Sequence, residues 1–311
     1  MISMVHIGVG IGNNDPKGQG RVVAAARRAE QAGLDSVSIP DVLRGDGAPT
    51  LEALVAAAAV AGATEGVRIE LGVLAVPNRH VAWLGAQIQA LQHVSANRIV
   101  LGVGIGGFPD SPLWRALAAP RRGRDKIIES MLGQLSTLIT GEPTRVNGEE
   151  ITLGPSAPMP LVLIGGHSDH AIRRSVTHGD GWFPSLMTPS TLARRVATLH
   201  DLAAAQGRPR PLVHFGTHAA LGSDSAEQVA MIRSAAESYG VPTEEAGDVT
   251  ITGGVTQVAD RLAEYAAAGA DSLTVVLDGQ DWEGQLDVLA EARSRLSSSP
   301  GRVGQLGRFT G

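Results

Sequence analysis

The chain has 311 residues, 43% of them apolar and 18% charged, which suits one large domain with a substantial buried core. A net charge of −5 leaves no basic footprint and argues against nucleic acid as a partner. The absence of cysteine excludes disulfides, thiolate metal sites and cysteine nucleophiles together. No stretch approaches the roughly 18 apolar residues of a membrane span. The opening Met1-Ile2-Ser3-Met4-Val5-His6 carries no secretory pattern, so a cytoplasmic protein without a membrane partner is expected.

Short β-rich runs alternate with helical patterns along the chain. A strand over Val5 to Gly10 is followed by a helix over Arg21 to Ala32, then a strand over Ser36 to Ile39. The alanine-rich run from Leu51 to Ala63 reads as a buried helix, and strand Ile69 to Val76 precedes helix Trp83 to Val94. Next come strand Ile99 to Gly104 and helix Asp125 to Ile139, then strands Leu161 to Gly165 and Gly181 to Phe183. Helix Leu192 to Gln206, strand Leu212 to Thr217 and helices Glu227 to Tyr239 and Gln257 to Ala268 lead to a last strand, Ser272 to Leu277. The strands are near-continuously apolar, as parallel strands covered on both faces require. Eight strands with crossover helices predict an α/β chain closed as a single (β/α)₈ TIM barrel, an open doubly wound sheet being the alternative at this level. Insertions are expected at Phe108 to Arg124, after the fourth strand, and at Gly141 to Pro160, where Asn147-Gly148 signals a turn. The domain spans 1–296, and the Ser/Gly-rich segment 297–311 is expected to be a flexible tail. A weak internal echo joins Ala29-Glu30-Gln31-Ala32-Gly33-Leu34-Asp35-Ser36-Val37 to Tyr265-Ala266-Ala267-Ala268-Gly269-Ala270-Asp271-Ser272-Leu273. In each, a glycine stands where a helix C-terminus needs a left-handed residue.

Several residue groups could carry chemistry. Gly8-Val9-Gly10-Ile11-Gly12 and Gly102-Val103-Gly104-Ile105-Gly106-Gly107 end the first and fourth strands without dinucleotide-fingerprint spacing. Such glycines either admit a flat ligand to the backbone or only relieve crowding at the barrel mouth. In Ile164-Gly165-Gly166-His167-Ser168-Asp169 a strand closes and a helix opens, with Ser168 as its N-cap. The free amides and dipole there suit a phosphate, and an ordinary capped helix is the plainer reading. His167 and His170 lack a third ligand at metal spacing, so no metal site is expected. Neither Lys17 nor Lys126 lies on a strand, which argues against a Schiff-base aldolase. Asp41, after the second strand, either bonds a ligand or caps the following loop; Asn78-Arg79-His80, His218 and Asp278 also end strands.

Taken together, these segments resemble the luciferase-like monooxygenase superfamily, including its bacterial luciferase-like branch that uses the deazaflavin coenzyme F-420. The resemblance rests on Ala32 to Val37, Val73-Leu74-Ala75-Val76-Pro77-Asn78-Arg79-His80, Asn97 to Gly104, Leu163 to Gly166, Gly179-Asp180-Gly181-Trp182, and Gln257 to Leu262 with Ala268 to Asp271. It implies an oxidoreductase with a cofactor ring across the barrel mouth. The ring would meet Ala75 and Val76, where the family often has a non-prolyl cis peptide, and the loop Gly104, Ile105 and Gly106. The cofactor phosphate would sit near Gly165, Gly166, His167 and Ser168, with Asp41 as a ring or catalytic contact. Trp114, Trp182 and Phe183 would line a pocket for a small-molecule substrate, and a homodimer is implied. Two departures matter. Deazaflavin members usually read Asp-His where this chain reads Asp41-Val42, which removes a histidine that commonly supports catalysis. Many flavin-dependent members place an arginine where Ile105 stands, which favours coenzyme F-420 over the alternative, FMN with oxygen. A flavin-binding protein without turnover is a third expectation, permitted by the missing histidine.

Overall fold

The computed structural model describes residues 5–11, 21–222, 225–239 and 241–298. Its strands are β1 (His6–Gly10), β2 (Ser36–Ile39), β3 (Arg68–Ala75), β4 (Ile99–Gly104), β5 (Thr144–Val146), β6 (Glu149–Ile151), β7 (Leu161–Gly165), β8 (Gly181–Phe183), β9 (Leu212–Leu221), β10 (Ile251–Gly253) and β11 (Ser272–Leu277). Its helices are α1 (Arg21–Gln31), α2 (Ala53–Ala61), α3 (Val81–Ser95), α4 (Pro112–Ala116), α5 (Arg124–Thr140), α6 (Asp169–His178), α7 (Pro189–Ala205), α8 (Ser225–Tyr239), α9 (Thr243–Val249), α10 (Val255–Ala267) and α11 (Trp282–Ser298). Parallel pairing runs β1–β2–β3–β4–β7–β8–β9–β11 and returns to β1, closing an eight-stranded ring. The closed (β/α)₈ barrel is therefore established, and the open sheet is not.

Alternation along each strand builds two surfaces. Ile7, Val9, Val37, Ile39, Ile69, Leu71, Leu101, Trp182, Val213 and Phe215 are fully or almost fully buried in the main apolar core. Small and polar residues alternate with them and point into the ring, where Gly8 leaves room for Ser36 and Gly72 for Ser38. At the bottom of the barrel, the carboxylates of Asp35, Asp180 and Asp271 accept from the amides of Ile7, Val162 and Val213, each at 2.8 Å. The internal echo thus has a structural meaning. Gly33 and Gly269 take positive φ at 75° and 103°, and the aspartate two residues later ties down the neighbouring strand. Such contacts lie at the face opposite the loops that carry activity, and they serve stability.

Four features differ from expectation. Asn147 and Gly148, with φ of 51° and 90°, form the tight turn of the antiparallel β5–β6 hairpin inside the second insertion. The three-residue β10 pairs with β9 outside the ring, and it is too short to carry a periodic signal. Helix α11 runs to Ser298, so the expected boundary after residue 296 falls within it; the remainder of the expected tail lies outside the described residues. The α2 helix is not wholly buried: Val55 is 71% exposed, and Trp83 on neighbouring α3 is 70% exposed. Among the described residues no helix is long and apolar enough to cross a membrane.

Candidate functional site

The floor beneath the mouth is polar and self-satisfied. Glu70 from β3, His214 from β9 and Thr274 from β11 meet inside the ring, all nearly inaccessible. The Thr274 hydroxyl donates to Glu70 Oε2 at 2.7 Å, and His214 Nε2 stands 3.1 Å from the same oxygen, with Ser272 Oγ on its other nitrogen. Burial works to raise the Glu70 pKa; the His214 charge and hydrogen bonds from His214, Ser36 and Thr274 outweigh it and hold the carboxyl below its ordinary range. Phe183 seals this layer, meeting the His214 ring edge-on with centroids 4.1 Å apart.

Above the floor sits Val73. The β3–β4 register shifts between Leu71 and Leu74, and the non-prolyl cis peptide is Gly72–Val73, not at Ala75–Val76. The bulge turns the Val73 side chain into the ring, where it packs with Val100, Leu163 and Phe183. A Cβ on Gly102, Gly104 or Gly165 would stand 2.8–2.9 Å from a Val73 methyl. Gly104 and Gly165 therefore leave room for Val73, Gly102 yields first to the Leu71 carbonyl at 2.2 Å, and Val73 is the apolar surface beside the mouth. Val76 is fully buried. The missed signal is local: Leu71-Gly72-Val73-Leu74 breaks strand alternation.

Asp41 is committed to its neighbours. Its carboxylate accepts from the Ala75 amide at 2.9 Å and from Arg79 Nη1 and Nη2 at 2.5 and 3.1 Å. Arg79 also donates to Glu52 at 3.0 Å and to the Ala75 carbonyl at 3.2 Å. Burial opposes the Arg79 charge, but Asp41 and then Glu52 outweigh it and push its pKa up. Asp41 thus ties the loop after β2 to the end of β3, the loop-capping alternative.

The loop after β4 is held from outside. Gly106 has φ 82°, and a Cβ there would stand 2.6 Å from the Trp114 ring. The Trp114 indole is buried against Gly106 and donates to the Pro120 carbonyl at 3.3 Å. Arg124, opening α5, donates to the carbonyls of Ile105 and Gly106 at 3.0 and 2.6 Å. The open groove here, about 270 Å³, lies between the loops after β2 and β4 and is lined by Arg44, Gly107 and Phe108 among others.

The turn from β7 into α6 has the expected cap. Ser168 Oγ accepts from the Ala171 amide at 3.2 Å, and Gly166 takes φ 124°. First-turn amides of a helix have no intrahelical acceptor, so this exposed turn presents donors to the mouth. Trp182 is fully buried; it donates from Nε1 to the Gly166 carbonyl at 2.8 Å and fixes the turn from below. Phe183 packs with Val100, Leu163 and Val73. Arg195 of α7 clamps the turn through the His167 carbonyl and Asp169, both at 2.6 Å. Desolvation, and secondarily Arg195, lower the His167 pKa, and the neutral ring accepts from the Ser185 amide at 3.3 Å. Among the described residues no three His, Asp or Glu side chains converge as a metal site.

The structure also joins two residues far apart in sequence. His218, on β9, places Nδ1 2.7 Å from Oδ2 of Asp278, just after β11. Nothing in the local sequence around either residue announces the pair.

Residues 2–247 match the family model for luciferase-like monooxygenases. A Mycobacterium tuberculosis protein described as uncharacterized is 29% identical over 215 residues, 61% of this chain and 73% of its own. Among solved structures, an F-420-dependent secondary alcohol dehydrogenase in complex with an F-420–acetone adduct superposes with TM-score 0.80 at 15% identity, covering 93% of this chain and 98% of that one. The coenzyme F-420-dependent tetrahydromethanopterin reductase of Methanopyrus kandleri gives 0.73 at 17%, and a Streptomyces bottropensis monooxygenase 0.74 at 15%, each with the same coverages. At such identities the structural likeness speaks for the barrel, and the family rests on the sequence match. The chain belongs to the luciferase-like monooxygenase family.

Proposed function

We propose that this chain is an oxidoreductase using coenzyme F-420 to move a hydride to or from a small organic substrate. The observation that carries this reading is the β7–α6 turn. Gly166, His167 and Ser168 present helix-start amides to the mouth, and the apolar Val73 surface lies beside them. These residues fit a cofactor with a phosphate and a flat ring: the turn is exposed, locked by Trp182 and Arg195, and carries no acidic group aimed at an anion except Asp169, which Arg195 neutralises. When bound, the cofactor supplies a two-electron hydride carrier. The chain's contribution is to hold the phosphate at the turn, support the ring on Val73 and close the loops through Asp41–Arg79. Arg44 and Phe108, in the groove beside the mouth, would meet the substrate.

Ile105 in the loop after β4 supports the deazaflavin, as do the F-420-dependent proteins among the structural neighbours. Arg124, which reaches that loop from α5, is the observation on the side of FMN and oxygen, although the Ile105 and Gly106 carbonyls occupy it. Titrating the apo-protein separately with F-420 and FMN, followed by cofactor fluorescence, separates the readings. Tight binding of F-420 alone supports hydride transfer; tight binding of FMN alone overturns it in favour of oxygen chemistry. Binding without any substrate-dependent redox change marks a carrier without turnover.

We also infer a homodimer through α2 and α3. The α2 sequence is apolar on every face, and Val55 of α2 and Trp83 and Val94 of neighbouring α3 are exposed. Light scattering of wild type and Trp83→Glu tests it: a dimeric wild type with a monomeric variant is expected, and a monomeric wild type refutes it.

A further inference from the structure

A second cavity lies between α3, α5 and the β5–β6 hairpin, apart from the barrel mouth. Its volume is about 320 Å³, at the small end of the roughly 300–1,000 Å³ usual for ligand pockets. Helix α5 forms one wall through Lys126, Ile127, Ser130, Met131 and Gln134. These positions recur every four residues and so make one stripe along the helix. The acidic neighbours of Lys126 in sequence, Asp125 and Glu129, turn instead to α6 and hold the buried Arg174. Across the cavity, Arg79 is committed to Asp41 and Glu52. At the hairpin, Asn147 Nδ2 stands 3.4 Å from His80 Nε2 and ties the turn to the start of α3.

Two kinds of surface meet there. Val81, Met131 and Val146 are buried, and with the half-buried Ile127 they make an apolar side. Opposite in character is Lys126, exposed at the cavity. Among the described residues no carboxylate lines the cavity, and Lys126 has no ion pair.

We propose that this cavity binds a small organic carboxylate, its charge on Lys126 and its apolar body against Val81, Ile127, Met131 and Val146. The site stands whether or not the cofactor reading does. One ammonium matches one negative charge, and a charge-assisted hydrogen bond is about twice as strong as a neutral one. The Ser130 hydroxyl and the Asn147 carboxamide supply further donors. A phosphate dianion leaves half its charge unmatched and sets nothing against the apolar side. A neutral alcohol fills that side and leaves the ammonium without a counter-charge. The cavity volume suits a short alkyl or aryl acid.

The test uses the full apo chain in carboxylate-free buffer, with hexanoate and benzoate as probes. Spectra of carbon-labelled methionine methyls follow Met131, assigned with Met131→Leu. The Met131 signal should shift saturably with both acids, with Kd on the order of 1 mM. In Lys126→Met the affinity should fall at least about tenfold, and in Lys126→Arg it should stay within about threefold of wild type. Because Lys126 is exposed, both variants should melt with wild type. Hexanol and inorganic phosphate should each bind at least about tenfold more weakly than hexanoate. A Met131 signal that neither acid moves overturns the site. Undiminished binding by Lys126→Met overturns the role of the ammonium. Hexanol or phosphate matching hexanoate overturns the ligand class.

Discussion

Replacing Asp41 by alanine separates a positioning carboxylate from a catalytic one. The Asp41 side chain is 7% exposed and its partner Arg79 15%, so the pair is substantially desolvated. Removing one member of a buried pair costs about 3–5 kcal/mol, because the other charge is left without its partner. Arg79 keeps Glu52 and the Ala75 carbonyl, which places this site near about 3 kcal/mol. The orphaned Ala75 amide adds about 1 kcal/mol. At about 2–3 °C per kcal/mol for a chain of this size, the melting temperature falls by roughly 8–12 °C. Thermal unfolding of Asp41→Ala, Arg79→Met and the double variant closes a double-mutant cycle. The double variant should lose less than the sum of the singles by about 1–3 kcal/mol. An Asp41→Ala protein that melts within 1 °C of wild type, or a cycle that is additive, refutes the lock.

Glu70 has a folded pKa below its unfolded value, so it contributes stability above about pH 4.3 that is lost as pH falls through the folded pKa. The melting-temperature gap between wild type and Glu70→Gln should be widest near neutrality and close below about pH 4; a constant gap to pH 3 contradicts it. Gly104→Ala should destabilise by about 1–3 kcal/mol through overlap with the Val73 methyl, and Val73→Ala in the same chain should restore most of the loss. Urea unfolding of the single and double variants measures this, and a Gly104→Ala protein of wild-type stability would rule out the contact. Trp182→Phe removes the bond to the Gly166 carbonyl and should weaken cofactor binding about fivefold, roughly 1 kcal/mol. Unchanged affinity in a fluorescence titration would show that the turn does not need its support.

The barrel was legible because its apolar strands and the Gly-x-Asp joins before Ser36 and Ser272 are local signals. The Ser168 cap and the Asn147-Gly148 turn were readable for the same reason, since a side chain bonds its own backbone or a tight turn demands left-handed residues. What stayed hidden depends on partners distant in sequence. Trp114 and Trp182 suggest pocket walls until the contacts show each indole turned to brace a glycine turn. Asp41 could be weighed as ligand contact or cap only because Arg79, 38 residues later, was not visible as its partner. Val73 was obscured because a near-continuously apolar strand masks the break in alternation at Leu71-Gly72-Val73-Leu74, and His218 meets Asp278 across 60 residues.

The central claim is that the turn from β7 into α6 holds a cofactor phosphate. It is tested most directly by fluorescence titration of wild type and Gly166→Asp with F-420, beside a melting curve for each. Gly166 is exposed at φ 124°, so an aspartate there adds backbone strain and a negative charge beside the helix-start amides. The account predicts tight binding by wild type and loss of measurable binding by a folded variant. Equal affinity in the two proteins would contradict it.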